Sequence, residues 1–191
     1  MGSGGRIPLL TFSPFLPIMT KEPVIKKLFL ILLLPVFSIY AEAPVYQTEV
    51  TFHGFSWGTG MEDFIRRTGN PVSRDEINGL VSLVWENVAV NGYPTFMVAY
   101  FSRSGLQAGS YYFITHNIDE LMRCYNELRQ ELRGRFGPTN LFDGIIREMR
   151  PYQCVWNLPG GYVSLRVNTR TGEPVTLWYS SPELSRQLFG N

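Results

Sequence analysis

Displacing the chain by 67 residues against itself superposes two kinds of punctuation at once. Met61 falls on Leu128, Ile65 on Leu132, Arg66 on Arg133 and Pro71 on Pro138. The same offset lays Ser102-Arg103-Ser104-Gly105 on Thr169-Arg170-Thr171-Gly172, and Tyr111-Tyr112 on Trp178-Tyr179. One shift that serves both helix ends and tight turns points to an internal repeat. The predicted unit is a helix, a Gly/Pro stop and three antiparallel strands, present as two copies over 44–116 and 117–191. A helix with one apolar stripe and a sheet with one apolar face must bury them against each other. The expected fold class is therefore α+β, a tandem repeat with its helices packed on one face of a curved antiparallel sheet.

The helix ends are written into "WGTGMEDFIRRTGNP", residues 57–71. Thr59 followed three residues later by Glu62 reads as a capping box, with acids in the first turn and Arg66 and Arg67 at the far end. Met61, Phe64, Ile65 and Thr68 fall at helical spacing, Gly69 stops the helix and Pro71 forbids its return. The stretch lacks the glycine spacing of a dinucleotide fingerprint and the Gly-Lys-Ser/Thr of a Walker loop, so no phosphate cradle is read here. The same grammar recurs at Asn117 and Glu120. They open a helix whose Ile118, Leu121, Met122, Tyr125, Leu128, Leu132 and Phe136 share one face, and Gly137-Pro138 ends it. Cys124 lies on the flank of that stripe.

Tyr162 to Asn168 alternates Val163, Leu165 and Val167 against Tyr162, Ser164 and Arg166, the mark of a half-buried strand. The turns "SRSG" and "TRTG" offer glycine a positive φ, and Pro159-Gly160-Gly161 has tight-turn composition. Strands are also predicted over 80–90, 152–158 and 175–180. Cys154 then lies on the first strand of the second copy, facing the helix that carries Cys124.

Lys21, Lys26 and Lys27 precede the apolar run Leu28–Tyr40 and the small residues Ala41-Glu42-Ala43. This is the layout of a secretory signal peptide over 1–43, and translation from Met19 would leave an ordinary one. The run is 13 residues, well short of the roughly 20 that a membrane-spanning helix requires, so no transmembrane segment is expected once the signal is removed. Residues 44–191 carry 13 Arg, no Lys and 14 acidic residues, a balance that suggests neither nucleic acid nor an anionic membrane. The expected location is periplasmic or secreted. There the even pair Cys124 and Cys154 reads as a disulfide, with two free thiols as the alternative.

The residues "FSWGTGMEDFIRRTGNP" followed by meandering strands resemble the G-x-[ST]-x-x-[DE]-V-x-x-x-x-G-x-P pattern of small exported α+β modules. Among these are the SmpA/BamE outer-membrane assembly lipoproteins and the tandem modules of the β-lactamase inhibitor protein family. The resemblance covers roughly residues 52–184. It implies two copies forming one curved sheet backed by helices, and a helix-to-strand disulfide like a Cys124–Cys154 bridge. The chain has no lipobox cysteine, and its first copy has no cysteine pair.

Catalysis has little material. His53 and His116 are the two histidines, and no cysteine or carboxylate stands at metal-ligand spacing, so neither metal nor cofactor is expected. Asp75-Glu76, behind a Ser73 cap, and Asp119-Glu120 read as first-turn acids. A Cys-His nucleophile built on Cys124 is an alternative, and a structural role in outer-membrane assembly is another. The favoured expectation is a non-enzymatic binding module for a protein or cell-envelope partner. If Phe96, Val98 and Tyr100 face the helices, alternation turns Met97 and Phe101 outward. Tyr111, Phe113, Tyr162, Arg166 and Trp178 would join them in an exposed aromatic face of the kind that marks partner sites.

Overall fold

Eight strands join edge to edge in one antiparallel sheet of order β1-β2-β3-β4-β8-β7-β6-β5. The computed structural model describes residues 44–77, 79–139, 142–145 and 151–189; the expected signal sequence over 1–43 lies outside them. Along the chain come α1 (Met61–Thr68), β1 (Ser73–Ile77), β2 (Leu80–Val90), β3 (Tyr93–Ser102) and β4 (Gly105–Phe113). Then follow α2 (Ile118–Phe136), β5 (Phe142–Ile145), β6 (Pro151–Leu158), β7 (Gly161–Asn168), β8 (Glu173–Ser180) and α3 (Pro182–Phe189).

The expected unit of a helix and three strands, twice over, is not what forms. Each of α1 and α2 is followed by four strands, the two helices differ in length (8 and 19 residues), and a third helix closes the chain. Nor do the helices share one face. Ser180, in register with Ala108 and Tyr162 on the face away from α1 and α2, hydrogen-bonds to Ser185 of α3 at 2.8 Å. The C-terminal helix therefore lies on the opposite side. Its start is capped by Ser181, whose Oγ accepts from the Leu184 amide at 3.1 Å, with Pro182 at the first helical position.

Local chemistry accounts for most element boundaries. Asn117 caps α2 by accepting from the Glu120 amide at 2.9 Å, while the Glu120 carboxylate accepts from the His116 amide at 2.8 Å. The expected Thr59 box is absent. Gly60 is the N-cap, and the Thr59 hydroxyl donates instead to the Ser56 carbonyl at 2.7 Å. Ser73 caps nothing either, because Ser73–Ile77 is an edge strand. Asn91-Gly92 turns β2 into β3 with positive φ at both residues, the mirror-image turn that matches strand twist. Asn87, also at positive φ, sits in a bulge between Trp85 and Val88.

The core lies between the sheet and the pair α1 and α2. Met97, Ala99 and Phe101 of β3 are buried there, with Tyr111 and Phe113 of β4, Leu177 and Tyr179 of β8, and Val163 and Leu165 of β7. α1 contributes Phe64, and α2 contributes Leu121, Cys124, Tyr125, Leu128, Leu132 and Phe136. Two tryptophans tie the helices down. Trp85 Nε1 donates to the carbonyl of Gly69, and Trp156 Nε1 to that of Gly137, each at 2.9 Å. Both acceptors are helix-ending glycines, so each indole satisfies a carbonyl that the helix itself leaves orphaned.

Residues 47–58 form a strap that no periodicity announces. Its Gln47 amide donates to Arg135, its Thr48 carbonyl accepts from Gly160, and its Trp57 indole donates to the Gly160 carbonyl. Phe52, with no exposed surface, enters the core against Phe64, Tyr111 and Tyr179, its ring centroid 5.0 Å from that of Tyr111. Gly109 is what admits it: a Cβ at that position would come closer than 3.0 Å to three carbons of the Phe52 ring. Burying such a ring is worth about 1.5–3 kcal/mol. Residues 45–191 make one compact unit. No helix among the described residues is long and apolar enough to cross a membrane.

Candidate functional site

Strand register places three rows of side chains on the sheet face away from α1 and α2. One row runs Gln153, Arg166, Thr176, Tyr112 and Phe96 from β6 to β3; the next runs Val155, Ser164, Trp178, Ser110 and Val98. The third runs Asn157, Tyr162, Ser180, Ala108 and Tyr100. The face is thus polar at the β6–β7 side and aromatic toward β3. Phe96 is 39% exposed.

A groove of about 320 Å³ opens in this face, lined by Gln153, Tyr162, Ser164, Arg166, Thr176 and Trp178 and walled by Leu188 of α3. Trp178 is half-buried and Arg166 exposed, while Tyr162 keeps 8% of its surface. The Tyr100 ring lies 5.3 Å from that of Trp178, extending the aromatic floor across β4. Burial, reinforced by neighbouring Tyr112, pushes the Tyr100 hydroxyl up to about 12, so it acts as a neutral hydrogen-bonding group. A mixed floor with a guanidinium and an amide at its rim suits a partner carrying both apolar and polar groups.

Of the seven expected contact residues, Tyr162, Arg166 and Trp178 therefore share one concavity. Met97, Phe101, Tyr111 and Phe113 do not join them: they are 1%, 2%, 6% and 0% exposed and belong to the core. Both alternations of β3 are apolar, and the packed set is Met97, Ala99 and Phe101, leaving Phe96, Val98 and Tyr100 outside. Leu188 was not foreseen, although Ser181-Pro182-Glu183 is a helix-start signal.

The Cys124–Cys154 bridge does not form; the two cysteines are not disulfide-bonded, and neither has exposed surface. Tyr125 hydroxyl and Cys154 Sγ stand 3.2 Å apart, and the Tyr125 and Tyr152 rings pack at 5.9 Å. Burial pushes the Cys124 thiol up to about 12, far from the depressed range of a catalytic thiolate. His116 lies in the loop before the α2 cap. His53 Nδ1 is 2.9 Å from the Tyr111 hydroxyl. No three His, Cys, Asp or Glu among the described residues converge as metal ligands.

No protein-family model matches the chain, and no curated protein does. One solved structure to which it is similar is an extracellular protein containing an SCP domain from Bacillus anthracis str. Ames, at 13% identity and a TM-score of 0.44. The match covers 78% of this chain and 51% of that one, so the chain spans about half the length of the protein it resembles.

Proposed function

We propose that the protein is an exported, non-enzymatic binding module that holds a protein or cell-envelope partner in the groove over β6, β7 and β8. The observation that supports this is the gathering of Trp178, Tyr162 and Arg166 in one concavity beside the exposed Phe96 and the 56% exposed Leu188. A sheet face meant only for water needs none of these large apolar groups, and Trp, Tyr and Arg are the residue types that dominate interface energetics. Both thiols are buried and burial raises that of Cys124, which counts against a cysteine hydrolase.

The test uses the chain from Pro44 immobilised against envelope extract. Trp178→Ala combined with Arg166→Ala should abolish partner retention with an unchanged circular-dichroism spectrum. Arg74→Ala with Glu76→Ala, on the distant β1 edge, should leave retention intact. Equal retention by both double variants would remove the groove from the binding surface.

A further inference from the structure

A second concavity of about 320 Å³ lies on the other side of the sheet, enclosed by the strap, the β2–β3 turn, α2 and β8. Most of the surrounding core is apolar, yet this space is lined by His53, Asn91, Tyr111, Glu131, Arg135 and Tyr179 together with aliphatic side chains. Its volume equals that of about ten liquid waters, which is the size of a small metabolite.

Glu131 and Arg135 stand one turn apart on α2, the spacing at which opposite charges normally pair. They do not pair. Asn91 Nδ2 donates to the Glu131 carboxylate, while Arg135 Nε donates to the Gln47 carboxamide at 2.6 Å. The two charges are thus held apart at the rim, with the terminal nitrogens of Arg135 given no acceptor among the described residues. Tyr179, 6% exposed, lines the same space as Glu131 and Arg135. Burial pushes its hydroxyl up to about 12, with Arg135 and then Glu131 as the nearby charges. Tyr111 is satisfied by His53, whose own titration burial lowers. No second cation therefore competes within the cavity near neutral pH. The Tyr179 side chain lines space bounded by one separated positive and one separated negative group.

We propose that this cavity binds a small zwitterion of the α-amino-acid class. The ligand carboxylate is received by the Arg135 guanidinium and the Tyr179 hydroxyl, and the ligand ammonium by the Glu131 carboxylate. A planar guanidinium is suited to a carboxylate, and Glu131 retains lone pairs beyond the one given to Asn91. The site is separate from the outer groove and independent of its role.

The experiment titrates the chain from Pro44 with each proteinogenic amino acid singly, by calorimetry and by chemical-shift perturbation. Acetate and methylammonium are the single-charge controls. At least one amino acid should saturate with a dissociation constant of about 1 mM or tighter, and both controls should bind at least about tenfold more weakly. Arg135→Gln, Glu131→Gln and Tyr179→Phe should each weaken binding by about tenfold or more. The first two positions are solvent-accessible and the third change is isosteric, so folding is retained and checked by circular dichroism. Three results would overturn the proposal. One is no saturation by any amino acid at about 10 mM. Another is acetate binding as tightly as the amino acid while Glu131→Gln has no effect, the mark of a simple anion site. The last is tight binding indifferent to all three variants, which places the ligand elsewhere.

Discussion

The contact between Gly109 and Phe52 gives the sharpest test of how the strap is held. A methyl group at Gly109 would approach the Phe52 ring closer than 3.0 Å, a separation that real Cβ atoms essentially never show. Phe52 has no exposed surface and is ringed by Phe64, Tyr111 and Tyr179, so it has no free volume to move into. Gly109→Ala should therefore act as overpacking and destabilise by about 1–3 kcal/mol. Phe52→Ala should cost about 3–5 kcal/mol through lost burial and the cavity it leaves. In the double variant the methyl enters that cavity. Its penalty should be smaller than the sum of the two by about 1–2 kcal/mol, within the range for residues in contact. Urea unfolding of the four proteins measures this cycle, and each kcal/mol also corresponds to about 2–4 °C in Tm for a domain of this size. Strict additivity, or a neutral Gly109→Ala, would mean that Phe52 does not occupy the space over β4.

Further outcomes follow from the buried groups. Native protein should resist a thiol-specific reagent with and without prior reductant, and both Cys124 and Cys154 should react once urea unfolds the chain; stability that falls on adding reductant would instead reveal a bridge. Cys124 is raised from 9.0, and Tyr100 and Tyr179 from 10.0, each to about 12. The fold thus prefers their neutral forms, so their contribution is complete below pH 9.0 and is lost as pH climbs toward 12. Urea midpoints should decline over that window, less steeply in Cys124→Ala; an unchanged slope would contradict the shift. Trp156→Phe retains an aromatic side chain but removes the donor to the Gly137 carbonyl, and should cost about 1–3 kcal/mol in thermal or urea unfolding.

What could be read from sequence was whatever has a local cause. Asn117, Gly69 and Gly137 mark helix ends through backbone chemistry confined to a few residues, and the strands at 80–90, 152–158, 162–168 and 175–180 have alternation or turn residues to announce them. The misses have non-local causes. In β3 both Phe96/Val98/Tyr100 and Met97/Ala99/Phe101 are apolar, so alternation cannot choose a face; packing against Phe64 and Tyr111 does. β1 is Ser-Arg-Asp-Glu-Ile with every residue exposed, the charged composition that keeps an edge from pairing further, and it carries no period to detect. Residues 47–58 are fixed by distant partners, Arg135, Gly160 and Gly109, none of which leaves a trace nearby. Cysteine count signals compartment chemistry but not separation, so the thiols could be paired on paper and remain unbonded in the fold. For the outer groove, Tyr162, Arg166 and Trp178 were legible as types, whereas Leu188 depended on which side of the sheet α3 chose.

The pairing of β4 with β8 has a consequence for how the polypeptide assembles. Eight of the nine residues from Gly105 to Phe113 are buried in the finished molecule. Yet the neighbour that completes this central strand is the last strand in the chain. During synthesis the first hairpins can zip locally, but their most apolar edge waits until residue 180 has emerged, a closure of high contact order. Until then it is an open template for the wrong neighbour. Chains truncated before Glu173 should accordingly aggregate rather than accumulate as a soluble half.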